Sequence, residues 1–330
     1  MKIAIVKLSA MGDIIHAMSA LEFIKKNNPN IEIDWIVESS FVAILEDNPH
    51  INNILPVNLK SIKKDKKQIF NQIKLIKQYA KNGYDLVIDA QGLLKSAITA
   101  KLLGKKVAGF SKDSIREKVA SYFYNIKVDI DYAANTIDRN AKVLSNPLGF
   151  EITKEDILNK EPFLFYKDSK RVDDLLSKEK KNIVFVVGST WESRNYPKEK
   201  FAQIADELKE NTIVVWGNEE ERQKALWIQE HSSYAKAALK LNLNELKALI
   251  AKSDLTIGND TGPTHMAWGL NRPSITIFGP TPVSRVYITD INKVVKSDSI
   301  VNPYKLNKQD FSINSIDAKD IIDIAKSLLI

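Results

Sequence analysis

The stretch over residues 254–282, DLTIGNDTGPTHMAWGLNRPSITIFGPTP, constrains the fold more than any other part of the sequence. An apolar run breaks at Gly258, and a polar turn follows it. A short helix is predicted from Thr264, with His265 in its first turn, and a second apolar run begins at Ser274. This order of strand, turn, helix and strand is the building unit of a parallel sheet.

The turn lies just past the carboxyl end of a strand, where open parallel sheets bind their ligands. Backbone N–H groups at Thr261, Gly262 and Thr264 are expected to face outward at the helix start, where they suit phosphate oxygens. Pro263 has no N–H and suits the first helical position. An ordinary turn capped by Asp260 fits the same residues, so the pattern alone leaves both interpretations open.

Composition limits the classes of protein that remain. A chain of 330 residues is long enough for two domains. It has no Cys and four His, which leaves neither a disulfide framework nor a thiolate metal site and agrees with a reducing compartment. No apolar run is long enough to span a membrane, and the apolar N-terminus has no small-residue cleavage site, so it is interpreted as a first buried strand.

The net charge of +7 predicts an anionic partner. Much of the basic excess lies in residues 60–81, predicted as a long helix with eight Lys and one acid, Asp65. A Lys-rich helix face is often only solvated, and a nucleic acid, a membrane surface or a phosphorylated substrate are the alternative partners.

Strands and helices alternate in two series, which predicts an α/β fold with two Rossmann-like, doubly wound parallel-sheet domains facing across a cleft. The first domain is placed at residues 1–160 and the second at 161–315, with a charged linker near their junction. The last helix, in residues 316–330, is expected to cross back to the first domain. The segments around Arg116 and over residues 136–148 are both predicted to be helical.

Several familiar motifs are missing. The sequence contains no G-x-G-x-x-G, no G-x-x-x-x-G-K-[ST] and no G-x-S-x-G, which counts against dinucleotide oxidoreductases, P-loop NTPases and α/β-hydrolases. Asp129 and Asp131 match the D-x-D pattern of metal-dependent glycosyltransferases, but they follow Val128 in a strand-like alternation away from any glycine turn. No metal site is therefore predicted.

Polar residues remain at the predicted strand ends of both halves. The first half has Asp13 and a loop from Asp89 to Lys95, and Asp13 has no cation partner nearby in sequence, which leaves it available as a general base. The second half offers hydroxyls, a cation and a helix N-terminus for a diphosphate, and a carboxylate for ribose hydroxyls.

These segments resemble a known family. The motifs are K-x-S-x-M-G-D at 7–13, W-I-V-E at 35–38, D-A-Q-G-L-x-K-S-A at 89–97, R-E-x-x-A-S-x-F-Y-N at 116–125 and D-T-G-P-T-H at 260–265. In this order they resemble the ADP-heptose–lipopolysaccharide heptosyltransferases, which have the GT-B fold. The segments that begin at Asp89 and Arg116 are more similar to the type I enzymes than to type II.

The resemblance implies a set of functional residues. It implies that Asp13 is the catalytic base. It implies a donor nucleotide-sugar site made of Ser189, Thr190, Arg194, Glu219, Leu241, Asp260, Thr261, Gly262 and His265. It implies an acceptor site made of Lys60, Lys63, Lys64, Lys95, Arg116 and Arg139. The family often has Lys where this chain has Arg194, and a guanidinium is a planar fork with different contacts.

The resemblance further implies an inverting transfer of heptose from ADP-heptose to the Kdo of Kdo2–lipid A, with no metal and no cofactor. The expected location is peripheral, at the cytoplasmic face of the inner membrane, with no nucleic acid as partner. A type II enzyme or another nucleotide-sugar transferase is the alternative within the class. A basic nucleic-acid-binding protein with a vestigial nucleotide pocket is the alternative from another class, and it leaves Asp13 and the strand-end residues unexplained.

Overall fold

The computed structural model describes residues 1–330, which divide into two compact units, Met1–Phe165 and Tyr166–Ile330. Each unit contains one six-stranded sheet in which every pair of neighbouring strands is parallel. Helices connect the strands, so each unit is doubly wound and the predicted α/β class is confirmed. The units divide at Phe165, whereas the sequence placed the boundary at residue 160.

The first unit has the strand order β3-β2-β1-β4-β5-β6. Its strands are β1 (Lys2–Val6), β2 (Glu32–Glu38), β3 (Asn53–Val57), β4 (Leu86–Asp89), β5 (Val107–Phe110) and β6 (Ile126–Val128). Its helices are α1 (Met11–Met18), α2 (Leu21–Asn27), α3 (Val42–Leu45), α4 (Gln68–Tyr79), α5 (Leu94–Leu103), α6 (Thr136–Ser145) and α7 (Lys154–Leu158). The central strands are mostly apolar and almost entirely buried, as expected for a sheet covered by helices on two sides.

The second unit has the strand order β12-β11-β10-β7-β8-β9. Its strands are β7 (Asn182–Val186), β8 (Asn211–Val215), β9 (Ala235–Ala237), β10 (Leu255–Asn259), β11 (Ser274–Phe278) and β12 (Asn292–Lys296). Its helices are α8 (Lys170–Asp173), α9 (Lys198–Leu208), α10 (Glu219–His231), α11 (Leu243–Lys252), α12 (Gly262–Gly269) and α13 (Ala318–Leu328). Fully buried Phe185 and Phe201 pack in its core with their ring centroids 5.1 Å apart.

Both sheets reverse their strand order at one point, between β1 and β4 in the first unit and between β7 and β10 in the second. Loops that leave neighbouring strands at such a point turn to opposite sides and open a crevice at the carboxyl edge. The loops with Asp13 and Asp89 lie at the first of these points. The loops with Arg194 and Asp260 lie at the second.

Three predicted elements differ from the structure. The basic segment is not one long helix, because a 3₁₀ helix (Leu59–Lys63) is followed by a break before α4 begins at Gln68. The segment around Arg116 forms no α-helix and leads into the 3₁₀ helix Lys118–Phe123. Strand β6 ends at Val128, so the D-x-D residues lie beyond it.

The last helix belongs to the second unit. Helix α13 packs against α9, and its residues Ile321, Ile322 and Ala325 are part of the second core. The expectation that this helix joins the first domain was therefore wrong. The amphipathic pattern of the helix shows that one face is buried, but it does not specify the surface that covers this face. No helix of the chain is both long enough and apolar enough to cross a membrane.

Candidate active site

Asp260 is the centre of a buried cluster at the switch point of the second unit. One carboxylate oxygen, Oδ2, lies 2.8 Å from Arg194 Nη2 and accepts a hydrogen bond from Thr281 Oγ1 at 2.8 Å. The other, Oδ1, lies 3.0 Å from His265 Nε2. Arg285 Nε lies 3.9 Å from Oδ2. Both oxygens of the carboxylate are therefore engaged by groups of the protein.

These neighbours favour the ionised form of Asp260. Burial alone would raise its pKa, but the guanidinium groups of Arg194 and Arg285 and the hydrogen bond with His265 outweigh burial and hold the pKa well below its usual range. Asp260 is consequently ionised at neutral pH, and its contacts fix the positions of Arg194 and His265.

The turn between β10 and α12 presents a helix N-terminus beside this cluster. Helix α12 begins at Gly262, two residues before the predicted start, and Thr261 is its N-cap without a side-chain capping bond. Thr264 Oγ1 donates to the carbonyl of Asn259 at 2.8 Å. A Cβ on Gly258 would lie 2.6 Å from Thr264 Oγ1 and from Val186 Cβ, so only glycine allows this close packing. The first N–H groups of α12 thus lie where an anion is favoured.

Several buried polar atoms around the same switch point accept or donate no hydrogen bond within the protein. They are Ser189 Oγ, Ser193 Oγ, Asn195 Oδ1 and Asn259 Nδ2. Buried polar atoms in native proteins normally have a partner. A concentration of such atoms in the loops after β7 and β10 indicates a surface built to hold a polar ligand.

The remaining predicted donor residues lie outside the Asp260 cluster. Thr190 is exposed, and Leu241 is half-buried directly before Asn242, the N-cap of α11. Glu219, whose side chain is 67% exposed, accepts hydrogen bonds from Arg222 and Gln223 on its own helix. The hydrogen bonds from Gln223 and then Arg222 lower the pKa of Glu219. Among the predicted donor residues, the carboxylate of Glu219 faces solvent, whereas that of Asp260 is buried.

Glu221 was missed by the sequence analysis. Its carboxylate accepts hydrogen bonds from the N–H of Gly217 at 2.7 Å and from Asn218 Nδ2 at 2.9 Å. It also packs on Gly188, where an added Cβ would lie 2.1 Å from its Cδ. Glu221 thereby ties the start of α10 to the loop after β7. The spacing N-x-x-E at the start of α10 is a capping-box pattern; it predicts the bond from the N–H of Glu221 to Asn218 Oδ1 but not the contact with Gly188.

In the first unit, Asp13 lies in the first turn of α1 and is only partly buried. Its Oδ2 accepts a hydrogen bond from the N–H of Ala10 at 3.2 Å. The preceding loop is held by Gln91, whose Oε1 accepts from the N–H groups of Leu8 and Ser9, each at 3.0 Å. The loop after β4 therefore fixes the loop that leads to Asp13.

Lys7 begins the K-x-S-x-M-G-D motif, but the sequence analysis gave it no role. Its buried ammonium donates to the carbonyl of Ala90 at 2.7 Å and to Asn140 Oδ1 at 3.0 Å. Burial lowers its pKa, while the charges of Asp13 and Asp89 act in the opposite direction. Lys7, which follows β1, is therefore hydrogen-bonded to the loop after β4 and to helix α6.

Asp89 of the D-A-Q-G motif has a structural role. Its buried carboxylate accepts hydrogen bonds from Tyr124 OH at 2.7 Å, Ser96 Oγ at 2.8 Å and the N–H groups of Gln91 and Gly92. Burial raises its pKa, and these hydrogen bonds oppose the shift. With its acceptors satisfied inside the protein, Asp89 shapes the loop and does not face a substrate.

The predicted acceptor residues fall into two groups. Lys60, Lys63, Lys64, Lys95 and Arg116 are exposed. Arg139 is half-buried, and it donates to the carbonyls of Asp131 and Ser114 at 2.8 and 2.7 Å. Its guanidinium also lies 4.9 Å from the ring centroids of Phe110 and Tyr132. Arg139 therefore braces two loops of the first unit, a role that its charge alone did not indicate.

Glu38, at the end of β2, connects two of the exposed cations. It is buried, and its Oε1 accepts no hydrogen bond within the protein. Burial raises its pKa, while the charges of Lys95 and Lys60 lower it. Lys60 and Lys95 thus lie near one carboxylate at the carboxyl edge of the first sheet.

The D-x-D residues lie in a local turn after β6. Asp129 and Asp131 are exposed, and Asp131 Oδ1 accepts from the N–H of Ala133 at 2.8 Å in a local turn. No group of three or more His, Cys, Asp or Glu side chains in the chain is arranged to hold a metal ion.

Two doubly wound parallel sheets, with a fixed guanidinium and a helix N-terminus at the switch point of the second, agree with the GT-B fold of glycosyltransferases. The family model for glycosyltransferase family 9 (heptosyltransferase) matches residues 72–312. The chain belongs to this family of enzymes.

Individual relatives agree with this assignment. A lipopolysaccharide heptosyltransferase 1 from Campylobacter coli is 40% identical, and the alignment covers 99% of both chains. A lipopolysaccharide heptosyltransferase 1 from Pseudomonas aeruginosa is 30% identical over 85% of this chain and 79% of the relative. The solved structure of E. coli heptosyltransferase WaaC with ADP-2-deoxy-2-fluoro heptose covers 99% of both chains with a TM-score of 0.80 at 24% identity, which shows a shared fold.

Proposed function

We propose that this enzyme transfers L-glycero-D-manno-heptose from ADP-heptose to a Kdo residue of Kdo2–lipid A, in the assembly of the lipopolysaccharide inner core. Relatives named lipopolysaccharide heptosyltransferase 1 support this substrate pair, and one covers the full chain at 40% identity. A solved structure of the same fold holds an ADP-heptose analogue. Membership in an enzyme family favours this interpretation over a nucleic-acid-binding protein.

The observation that carries the donor side of the proposal is the position of Arg194. Its guanidinium is held by buried Asp260 close to the N-terminus of α12. A cation and a helix N-terminus together stabilise the negative charge that develops on ADP as it leaves. Ser189, Thr190, Thr261 and Gly262 would add hydroxyl and N–H donors to the diphosphate, and Glu219 and Leu241 would contact the nucleoside.

Asp13 supplies the base in this proposal. Its carboxylate accepts the proton of the Kdo hydroxyl while that oxygen bonds to the anomeric carbon of heptose. The bond from the anomeric carbon to the ADP oxygen breaks, and its electron pair leaves with ADP. Attack opposite the leaving group inverts the configuration at that carbon. Arg194 and the hydrogen-bond donors around it stabilise the negative charge on the leaving ADP, so the scheme requires no metal ion.

Exposed cations supply the acceptor side. Lys60, Lys63, Lys64, Lys95 and Arg116 would bind the carboxylates and phosphates of the Kdo–lipid A headgroup through charge-assisted hydrogen bonds. Arg139 would act on this surface indirectly, by holding the loops on which Ser114 and Asp131 lie. Because the acceptor is a lipid, we place the working enzyme at the cytoplasmic face of the inner membrane.

One assay tests the proposal against the type II alternative. The purified protein is incubated with ADP-heptose and Kdo2–lipid A and, separately, with an acceptor that already carries the first heptose. ADP release and the mass of the acceptor are measured in both reactions. We expect transfer only to the unmodified acceptor, and transfer only to the heptosylated one would replace the proposal with a type II activity.

A further inference from the structure

Six apolar side chains are exposed on three neighbouring elements of the first unit. Phe70 is 74% exposed, Tyr122 is 72% exposed and Val119 is 57% exposed. We call the whole set the apolar face; it consists of Ile69, Phe70, Leu94, Ile98, Val119 and Tyr122. Single exposed apolar residues are common on soluble proteins, but a group on adjoining elements marks an interaction surface.

The topology places these residues on one side of the sheet. Helix α4 connects β3 to β4, helix α5 connects β4 to β5, and the 3₁₀ helix Lys118–Phe123 lies between β5 and β6. All three connections run in the same direction along the strand order. Right-handed crossovers in one direction put their connections on the same face of a sheet. The three elements also lie side by side, α4 against α5 and α5 against the 3₁₀ helix.

Local geometry keeps the side chains together. Leu94 and Ile98 are one turn apart on α5, and Val119 and Tyr122 are one turn apart on the 3₁₀ helix. The N–H of Leu94 donates to Glu117 Oε2 at 2.7 Å, which joins the start of α5 to the segment before the 3₁₀ helix. Meanwhile the inward stripe of α5 is supplied by buried residues such as Ala97, so the outward residues are not needed for the core.

Exposed cations lie on the same three elements and on the segments next to them. They are Lys60, Lys63, Lys64, Lys66, Lys67, Lys74, Lys95, Lys112, Arg116 and Lys118. The acids within these segments are fewer, and each has a local partner. Asp113 pairs with Lys118 at 3.5 Å, Asp65 accepts from Gln68 Nε2 at 3.1 Å, and Glu117 accepts from Leu94.

We propose that the apolar face is a docking surface for an anionic phospholipid bilayer. Phe70, Ile98, Val119 and Tyr122 enter the headgroup region, and the lysines of these segments contact lipid phosphates. The inference rests on the proposed function, because a lipid-anchored acceptor requires the enzyme to meet a membrane. It adds which surface makes that contact.

The combination of charges and apolar groups argues for this occupant. A nucleic acid would pair with the cations and leave the apolar side chains in water. A second copy of the chain would bury the apolar side chains and bring two sets of cations into repulsion. An anionic bilayer satisfies both features, since its phosphates and acyl chains lie at adjacent depths.

Vesicle flotation tests the proposal with the full chain. The probes are vesicles of phosphatidylcholine alone and with phosphatidylglycerol at about a third of the lipid. The test variant carries Phe70→Ser, Ile98→Ser and Tyr122→Ser. A matched control carries Leu239→Ser, Ile300→Ser and Tyr304→Ser, which remove similarly exposed apolar groups from the second unit.

We expect the unmodified protein and the control to float with the anionic vesicles. The test variant should partition at least about tenfold more weakly. Equal loss in both variants, or no loss in either, would overturn the proposal. So would a test variant that only breaks a dimer, seen by light scattering, with vesicle binding unchanged.

Activity separates this surface from the proposed reaction. On a deacylated, water-soluble Kdo acceptor, the test variant should keep the turnover of the unmodified protein, which also shows that it is folded. When the acceptor is embedded in vesicles, the transfer rate of the test variant should fall by the same factor as its binding to the vesicles. If no acceptor is used by any protein while vesicle binding still depends on the apolar face, the proposed function fails and the docking surface stands.

Discussion

Arg194 Nη2 lies 2.8 Å from Asp260 Oδ2, and the two side chains are only 10% and 1% exposed. A pair that is so deeply buried loses most of its hydration, and the loss is offset only when the remaining hydrogen-bonding sites are satisfied. His265 and Thr281 provide those bonds to Asp260. The cluster therefore holds a guanidinium in a fixed orientation beside the N-terminus of α12.

Replacing Asp260 with Asn should expose the dependence of stability on this charge. The substitution leaves a buried guanidinium without its anion, which typically costs about 3–5 kcal/mol. Because the pKa of Asp260 is lowered in the folded state, its stabilisation is complete above the unfolded value of about 3.9 and is lost as the pH falls below it. The stability difference between the unmodified protein and Asp260→Asn, measured by urea unfolding, should be large at pH 7 and shrink on acidification.

The exposed Asp298 provides the matched control. Asp298→Asn removes an acid of the same unit without breaking a buried pair, so its effect on unfolding should stay within about 0.5 kcal/mol. A difference for Asp260→Asn that stays constant down to acid pH would show that the ionised carboxylate is not what stabilises the cluster.

Asp13→Asn should separate chemistry from donor binding. The carboxylate lies at the switch point of the first sheet, and the Arg194 cluster lies in the second unit. We expect turnover to fall by about 10²–10⁴, the usual contribution of a general base, and ADP affinity to change by less than about threefold. Single-turnover rates and ADP titration measure the two effects. Asp129→Asn, an exposed acid of the same unit, should keep its turnover, and near-normal turnover in Asp13→Asn would remove Asp13 from the mechanism.

Gly188→Ala should disturb the loop after β7, whereas Gly217→Ala should not. An added Cβ at Gly188 would lie 2.1 Å from Glu221 Cδ, but at Gly217 it would lie 3.4 Å from Glu221 Oε2, an ordinary contact. Displacing the Glu221 carboxylate breaks its bonds to Gly217 and Asn218, so we expect a loss of about 1–3 kcal/mol in stability. Thermal unfolding and ADP titration of the two variants check this, and equal behaviour would contradict it.

The sequence predicted the strand ends at which the candidate site residues lie, because apolar runs followed by glycine-containing turns identify such ends. It did not predict the pairing of Arg194 with Asp260, since the two residues are distant in sequence and their side-chain directions depend on packing. The same reason explains Arg139, which the resemblance placed at the acceptor site and whose bonds to two carbonyls the sequence did not predict. Lys7 was part of a motif, but its burial and its partners Ala90 and Asn140 depend on the same packing.

Activity should persist in excess chelator. In the proposed mechanism Arg194 and the N-terminus of α12 stabilise the leaving ADP, so turnover should change by less than about twofold when EDTA is added. Asp129→Asn combined with Asp131→Asn tests the D-x-D pattern directly and should be equally active. Loss of activity in EDTA that magnesium restores would show that the leaving group needs a metal ion.

The last prediction concerns Lys60, Lys63 and Lys64, all exposed at or next to the 3₁₀ helix Leu59–Lys63. If they bind the acceptor headgroup, replacing all three with Ala should raise the KM for Kdo acceptor about ten- to a hundredfold and leave the KM for ADP-heptose unchanged. A deacylated acceptor keeps membrane binding out of the measurement. Raising the ionic strength should weaken acceptor binding by the unmodified protein and have less effect on the variant, because exposed charges are screened beyond about 8–10 Å.

The control is Lys77→Ala with Lys81→Ala. Both lysines are exposed in the same basic segment, and this variant should keep both KM values. An unchanged acceptor KM would assign the three lysines to solvation alone, and an equal rise in both KM values would indicate an effect on the fold of the first unit instead of on the headgroup.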